Sequence, residues 1–452
     1  MAEIRVSYSV TTCILPGLHG RRIFFYALTL LALAATASVG ASAQHHAAQR
    51  LVVGYFPSWG IYYRQPYYVK TLVTNGSAAR LDQIDYSQGA VRDGRCALAD
   101  PNADIGYIYS ARNSVSGQAD SFQSPFRGYF HQLEDLKRRY PHIKILISLE
   151  GKADDFARDA NIENRRAFVA SCVDMFLRGH FAAGVEKPGI FDGIDVDWES
   201  PGAADAGNFR ALLQEFREQM NALRPGLRLS IAVDQAPDTF QGTNFAAIEP
   251  LVDQVGIMNY DYAGPWSATT GLLAPLFAGP ALSRSANSIE RSLAAYKAAG
   301  IPAQKLLMGI PFYGYSWTAV RNTNNGLFQQ GRSVHADQPY HYIRDLTAMS
   351  SAYRDERSQA PWLFDGDTFW TYEDPVSVRY KVSYARHQQL GGVMIWELSG
   401  DTQDAELLGI VHRTLRHPLK PRVFAKSLTV EPIPADGPPP QIGVSDRGAE
   451  AK

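Results

Sequence analysis

Cysteine is scarce in this sequence, because its 452 residues include only three. One of them, Cys13, lies in a segment that we predict below to be removed, which leaves Cys96 and Cys172. A pair of cysteines permits one disulfide at most, which excludes a small secreted scaffold held together by several disulfides. The sequence leaves open whether these two cysteines are close enough to bond.

The chain also lacks a surplus of charge of either sign. Its 44 lysines and arginines nearly balance its 45 aspartates and glutamates, and the two kinds are interspersed. Nucleic acid and anionic membrane surfaces are therefore not expected as partners. Metal-ligand spacing of His and Cys, a Walker-type glycine loop and a Gly-x-Ser-x-Gly elbow are missing from the sequence as well. These absences argue against metal-dependent hydrolysis, nucleotide chemistry and serine hydrolysis.

Long apolar runs are rare too, and the one that stands out lies near the N-terminus. It spans residues 23–39, follows Arg21 and Arg22, and precedes Ala41-Ser42-Ala43. These are the three parts of a secretory signal, so we predict a signal peptide over residues 1–43 and a secreted or periplasmic protein, with no membrane association after cleavage. A retained membrane anchor is the alternative, because the run is close to spanning length.

The other end of the chain has the composition of an unfolded segment. Residues 418–452 are rich in proline and polar side chains and include Pro438, Pro439 and Pro440 in succession. We predict a disordered tail there. Between the signal peptide and this tail, residues 44–417 are numerous enough for one large domain with its own core.

An acidic stretch in the middle of the chain, residues 192–199, reads Asp-Gly-Ile-Asp-Val-Asp-Trp-Glu. Side chains alternate along a strand, so Asp195, Asp197 and Glu199 share one face. The opposite face carries Ile194, Val196 and Trp198, which also need burial, and Asp192, which we interpret as structural. A strand covered on both faces holds its carboxyl groups where they cannot all ionise cheaply. Such a cluster is typical of an acid/base site.

The position of the last acid indicates which chemistry the cluster performs. Glu199 has the longest side chain of the set and ends the predicted strand, at the mouth of the sheet. Adjacent carboxyl groups share protons, so one of them stays protonated near neutral pH. A protonated glutamate supported by two aspartates is a general acid suited to a glycosidic leaving group.

Strand-like apolar runs alternate with helix-period segments along the whole domain. The runs are 51–56, 84–87, 144–149, 191–199, 227–233, 255–260, 305–313 and 392–396, and the clearest helical segments are 165–179, 208–223, 288–300 and 375–389. This alternation predicts an α/β fold, either a (β/α)8 barrel or a doubly wound sheet. In a barrel, catalytic groups lie at the C-terminal ends of the strands.

The spacing of Asp192, Asp195, Asp197 and Glu199 resembles the signature of glycoside hydrolase family 18, the chitinases. Segments 51–60, 258–266, 309–314 and 391–398 resemble the family's first, sixth, seventh and eighth barrel strands, in the family's order. The most similar sub-group is the bacterial secreted chitinases. The resemblance implies a (β/α)8 TIM barrel with a small α+β insertion, at about 315–370, between the seventh and eighth strands.

The resemblance also implies how catalysis would proceed. Glu199 would protonate the glycosidic oxygen and later activate water, while the substrate's own 2-acetamido oxygen attacks the anomeric carbon with overall retention. Asp197 would stabilise the resulting oxazolinium, and Asp195 would share a proton with Asp197. Tyr260 would donate a hydrogen bond to the acetamido oxygen.

Substrate-binding residues are implied in the same way. Asp261 would bind sugar hydroxyls or the acetamido group, Trp396 would form the floor beneath the distorted sugar, and Trp266, Tyr55 and Met258 complete the set. The implied enzyme is a monomeric, endo-type chitinase that cleaves β-1,4 bonds between N-acetylglucosamine units and needs no metal or cofactor. Further candidates for sugar platforms, with core packing the alternative for each, are Trp59, Trp317 and Trp370.

The sequence departs from the family at the end of the third strand. Ser148-Leu149-Glu150-Gly151-Lys152 stands where the family has Ser-x-Gly-Gly followed by an aromatic residue. Glu150 would either raise the pKa of Glu199 or pair with Lys152. Elsewhere, Ser200 replaces a tyrosine and Tyr315 replaces an arginine.

Two other functions are compatible with these motifs. One is an endo-β-N-acetylglucosaminidase acting on glycans or peptidoglycan, which shares the acid cluster and differs in its outer subsites. The other is a chitin-binding lectin on the same barrel, although lectins of this family typically lose the residue that Glu199 supplies here.

Overall fold

The computed structural model describes residues 49–278 and 288–417, so the predicted signal peptide and tail lie outside the described residues. Eight parallel strands form its central sheet, which closes because the first strand pairs with both the second and the eighth. The predicted (β/α)8 barrel is therefore confirmed. The barrel strands are β1 (Leu51–Pro57), β2 (Gln83–Arg92), β3 (Lys144–Glu150), β4 (Gly193–Asp197), β5 (Arg228–Val233), β6 (Gln254–Ile257), β7 (Leu306–Pro311) and β8 (Gly392–Trp396).

Helices surround the barrel and cover the outer faces of its strands. They are Val69–Thr74, Gly128–Arg139, Ala153–Ala160, Arg165–Cys172, Ala206–Leu223, Phe245–Ile248, Ile289–Ala298, Pro375–His387 and Glu406–Arg416. Two of them begin with a side-chain cap. Ser288 Oγ accepts a bond from Arg291 N before Ile289–Ala298, and Asp374 accepts bonds from two backbone amides at the start of Pro375–His387. None of the helices in the described ranges is long and apolar enough to cross a membrane.

Short helical turns and small strands complete the barrel layer. The one-turn segments are Ser58–Tyr62, Asn102–Gly106, Val173–Leu177, Pro237–Thr239, Glu249–Leu251, Ala303–Lys305 and Leu398–Gly400. A strand at Arg95–Leu98 pairs antiparallel with the end of β2, and His180–Ala182 pairs with Val185–Glu186.

The sixth strand is shorter than the sequence predicts. It ends at Ile257, and the chain then turns sharply, because Asn259 N bonds to Ile257 O and Tyr260 N bonds to Met258 O. Such bonds between residues two apart redirect the chain within a few residues. Asp261 follows with a φ of 62°. This turn carries Tyr260 and Asp261 out of the strand direction, at the end of the barrel where β6 stops.

The insertion between β7 and β8 is a separate antiparallel sheet of five strands. Its strands are Tyr313–Thr318, Arg332–Pro339, Ser351–Arg354, Pro361–Phe364 and Phe369–Thr371, with one helix at Tyr340–Leu346 and a one-turn segment at Asn324–Gly326. Three aromatic residues of this insertion, Trp317, Trp362 and Phe369, lie in a hydrophobic cluster that is separate from the core of the barrel. Trp317 is fully buried and its indole N–H donates to Ser267 O at 3.2 Å, so it packs the core and is not a sugar platform.

The two cysteines left open by the sequence form a disulfide. Cys96 lies in the strand Arg95–Leu98 and Cys172 ends the helix Arg165–Cys172, with their Cα atoms 4.8 Å apart. The bond closes a loop with a sequence separation of 76 residues and ties the β2 hairpin to the helix layer.

Candidate active site

Asp195 lies at the centre of the barrel, held by three hydroxyl groups. Its neighbours in register are Ser148 on β3 and Ser230 on β5. Asp195 Oδ2 accepts bonds from Tyr55 OH at 2.8 Å and Ser148 Oγ at 3.0 Å, and its Oδ1 accepts one from Ser230 Oγ at 2.6 Å. Burial raises the pKa of Asp195, and the three hydroxyl groups oppose that rise.

A second acid of the barrel interior is Asp85, for which the sequence motifs predict no role in the site. It lies on β2, is buried, and accepts a bond from Gln83 Nε2 at 2.8 Å. Burial and then the charge of Asp195 raise the pKa of Asp85 well above its usual value. The signal was available, because Asp85 stands between Ile84 and Tyr86 in an apolar run that must be covered on both faces.

Asp197 ends β4, two residues further along the same face. It is half-buried, and its Oδ1 atom is buried without a hydrogen-bond partner among the described residues. Burial raises its pKa strongly, and the charges of Glu150, Glu199, Asp195 and Asp234 add to the rise. Asp197 is therefore surrounded by other acids.

Glu199 lies beyond the end of β4, exposed at the mouth of the barrel. Its charge raises the pKa of Asp197, Glu150 and Tyr260, so its carboxyl group lies close to the side chains of these three residues. The next residue, Ser200, has a φ of 49° and donates a hydrogen bond to Asp234 at the end of β5. The chain therefore turns directly after Glu199.

The opposite face of β4 is buried as the sequence predicts. Ile194, Val196 and Trp198 lie in the core, and the Trp198 ring stacks on Phe156 with centroids 5.4 Å apart. Asp192 bonds to Lys137 Nζ at 2.8 Å and to Ile145 N at 3.0 Å, which confirms its structural role.

Glu150, which ends β3, lies beside Asp197 in register. Its Oε1 atom accepts a bond from Ser87 Oγ at 2.6 Å. The side-chain amide of Gln88 lies against both carboxylate oxygens of Glu150 and donates to them when the amide nitrogen is assigned to that side. Burial and the charges of Glu199 and Asp195 raise the pKa of Glu150 to about 7. Lys152 is exposed and forms no ion pair with Glu150, so the pairing considered from the sequence is absent.

Aromatic rings form one side of the opening above these acids. The Trp396 ring, half-buried at the end of β8, lies 5.3 Å from Tyr55 and 6.3 Å from Trp59 between centroids. Since Tyr55 also bonds to Asp195, this group of rings is continuous with the acid cluster.

The residues after β6 form the other side. Tyr260 is buried near Asp261, Asp197 and Glu199, whose charges raise its pKa after burial does. Asp261 accepts a bond from Tyr313 OH at 2.6 Å. Trp266 is 51% exposed.

Two residues of this side have partners that the motifs alone did not reveal. The Trp266 ring lies 5.5 Å from the ring of Tyr315, which belongs to the insertion. Met258, half-buried, packs against the barrel core. Of the other two candidate platforms, Trp59 lies on the same side of the opening as Trp396, whereas Trp370 packs partly against the core beside Tyr342.

No group of three or more His, Cys, Asp or Glu in the described ranges is arranged to hold a metal ion.

Comparison with known proteins identifies the family to which this barrel and its acids belong. Residues 51–401 match the model for glycosyl hydrolases family 18. The chain belongs to this family. Chitinase 63 of Streptomyces plicatus is 33% identical over 379 residues, which cover 80% of this chain and 60% of that relative. The family 18 chain described here thus spans less than two thirds of that relative's length.

Solved structures of family 18 proteins share the fold. The catalytic domain of psychrophilic chitinase B from Arthrobacter TAD20 superposes with a TM-score of 0.75 at 30% identity, covering 82% of this chain and 96% of that one. A family 18 N-acetylglucosaminidase from Paenibacillus barengoltzii gives a TM-score of 0.63 at 27% identity, covering 80% of this chain and 99% of that one.

Proposed function

We propose that this protein is a chitinase that hydrolyses β-1,4 bonds between N-acetylglucosamine units with retention of configuration. The observation that carries the proposal is the row of carboxyl groups along one face of β4, from buried Asp195 through Asp197 to exposed Glu199. Relatives of this chain that are named chitinases support the substrate class.

Glu199 is the general acid of the proposed mechanism. It is the one member of the row that is exposed, so it can reach the oxygen of a bound glycosidic bond. In family 18 the substrate's acetamido oxygen replaces a protein nucleophile. Glu199 therefore gives its proton to the departing sugar and, as a carboxylate, then activates the water that opens the oxazolinium.

Asp197 and Tyr260 hold the acetamido group during these steps. The unpartnered Oδ1 of Asp197 is an acceptor suited to the acetamido N–H, and the hydroxyl of Tyr260 is a donor suited to its oxygen. Asp195, which is held by three hydroxyl groups, shares a proton with Asp197, so the two aspartates together carry negative charge beside the reacting sugar. A positive oxazolinium is favoured in such surroundings.

The walls of the opening bind the rest of the substrate. Trp396 together with Tyr55 provides an apolar floor for the sugar at the point of cleavage. Asp261 and exposed Trp266 bind the sugar units on the other side, and Met258 supports the turn that carries them. A sugar without an N-acetyl group supplies no nucleophile, so cellulose and xylan are not substrates.

A second candidate is release of single N-acetylglucosamine units or cleavage within glycans. The similarity to the Paenibacillus N-acetylglucosaminidase supports it, because both barrels present the same fold. Analysis of product lengths from chitohexaose separates the two, since an endo-acting chitinase yields dimers and trimers early.

The proposal also includes a monomeric protein that is exported by a signal peptide over residues 1–43. A sedimentation measurement tests the monomer, and N-terminal sequencing of the secreted form tests the signal peptide.

The decisive experiment compares the wild type with Glu199→Gln on a fluorogenic chitotriose glycoside. We expect turnover to fall by at least about a thousandfold, equivalent to about 4 kcal/mol of transition-state stabilisation. Glu163→Gln is the matched control, because Glu163 is an exposed glutamate outside the site, and its turnover should equal that of the wild type. A wild type that binds the oligosaccharide without cutting it would instead establish a lectin.

A further inference from the structure

The carboxyl group of Glu150 is a feature of this chain that the proposed mechanism does not use. It stands where the family motif has glycine, and the structure places it directly beside Asp197 across the β3–β4 pair. A glycine at this position would leave the space beside Asp197 without a side chain. Glu150 therefore adds a charge to the site as well as volume.

The position of this carboxyl group is fixed. Ser87 Oγ donates to it at 2.6 Å, and the Gln88 amide donates to it as well. Both donors come from the middle of β2, which is the neighbour of β3 in the barrel. With two donors holding a half-buried side chain, the carboxyl group cannot turn away into solvent without leaving these donors unpaired.

The charges around Glu150 come from several elements of the barrel. Asp195 and Asp197 face it from β4, Glu199 from the segment after β4, and buried Asp85 lies on β2. Asp234 at the end of β5 faces Asp197. Lys152, which follows β3, is exposed and is not paired with Glu150. The charged groups that act on Glu150 are therefore acids, and its neighbours on β2, Ser87 and Gln88, are neutral.

We propose that Glu150 is a positioning residue of the active site: its carboxylate, held by Ser87 and Gln88 beside Asp197, keeps the catalytic proton on the Asp197–Glu199 pair and extends turnover to higher pH. The inference rests on the proposed function, because it requires that Glu199 act as a general acid. A negative charge nearby favours the protonated form of a neighbouring acid. Burial raises the pKa of Glu150 itself to about 7, and the charges of Glu199 and Asp195 add to that rise, which is consistent with this coupling.

The test is the pH dependence of kcat for Glu150→Gln on the chitotriose glycoside. Glutamine keeps the volume and can still accept the bond from Ser87, but it removes the charge. We expect the alkaline midpoint of the profile to move down by about half to one pH unit. At pH 5, where the acid is protonated in both proteins, kcat should stay within about threefold of the wild type.

Two further variants make the result decisive. Glu150→Gly, which restores the family's usual residue, should show the same downward shift, and it replaces the glutamine variant if that protein does not fold. Asp104→Asn is the control, because Asp104 is a buried acid whose pKa is raised to about 7 but which bonds to Tyr86 on the outer side of β2. Its alkaline midpoint should equal that of the wild type.

The outcomes separate this inference from the proposed function. Loss of kcat by the same factor at every pH, with an unmoved midpoint, would show that Glu150 only supports the fold and would overturn the inference. A shift in Asp104→Asn as large as that in Glu150→Gln would also overturn it. A wild type without any hydrolytic activity would refute the proposed function itself.

Discussion

Two regions of this molecule bury acids in opposite ways. Inside the barrel, Asp197 and Glu150 are surrounded by other carboxyl groups, and burial with these charges raises the pKa of both. Just after the insertion, Glu373 is more deeply buried than either of them, and it accepts a hydrogen bond from Lys381 on the helix Pro375–His387. There burial raises the pKa of Glu373 and lowers that of Lys381, and each partner's charge opposes the change.

This difference in the surroundings of the buried acids indicates a different role for the acids of each region. A buried pair of opposite charges keeps both groups ionised and in place, which suits a joint between two parts of a fold. Buried carboxyl groups without a cation must hold and exchange protons, which suits acid/base chemistry. The comparison therefore predicts that neutralising an acid has opposite consequences in the two regions.

Asp197→Asn gives the largest expected effect. Turnover of the chitotriose glycoside should fall by at least about a hundredfold, because the amide cannot stabilise the positive oxazolinium as a carboxylate does. The midpoint of thermal unfolding should stay the same or rise, since the variant removes a buried, uncompensated acid. Activity assays and calorimetry on the same preparation check both points, and a clear loss of stability would contradict the comparison.

Glu373→Gln should do the reverse. Removing one partner leaves Lys381 charged and buried, so the free energy of unfolding should fall by about 3–5 kcal/mol. Turnover per folded molecule should not change. Denaturant titration measures the loss, and the double variant Glu373→Leu with Lys381→Met is the matched control, because it removes both charges and should recover much of the stability. A stable single variant would show that the pair contributes little.

Asp104 tests the limit of the comparison, because it is a buried acid outside the site and lacks a cation. Burial raises its pKa to about 7 from an ordinary value of 3.8, so the folded protein binds a proton that the unfolded chain releases. The stability from this neutral carboxyl group is fully present below the unfolded pKa and is lost as the pH rises through the folded pKa.

Asp104→Asn should therefore remove part of the pH dependence of folding. A single such group changes the free energy of unfolding by about 1.4 kcal/mol per pH unit at most. Between pH 5 and pH 7 the wild type should lose up to about 2–3 kcal/mol that the variant keeps. Urea titrations at the two pH values measure the slope, and equal slopes would place the pKa of Asp104 near its ordinary value.

Most of the fold can be predicted from the pattern of apolar residues within short segments of the sequence. The apolar runs and helix-period segments depend on residues close in the chain, so all eight strands overlap their predicted ranges, and only the ends of β2 and β6 differ from them by more than two residues. The exception that matters is β6, which stops at Ile257 because backbone bonds turn the chain there. Asn259 in this turn also donates a hydrogen bond from its side-chain amide to Ser292 Oγ. These two residues are far apart in the sequence, so local patterns do not predict their contact.

The sequence by itself determined the barrel, the family and the row from Asp195 to Glu199, because strand period and motif spacing are properties of short segments. Only the tertiary structure decided what surrounds that row. Ser148, Ser230 and Tyr55 meet Asp195 from three different strands, and the pairing of Cys96 with Cys172 likewise needed folded distances. The same holds for Glu150, whose partner is Ser87 on β2 and not the nearby Lys152, because the pairing of β2 with β3 brings these two side chains together.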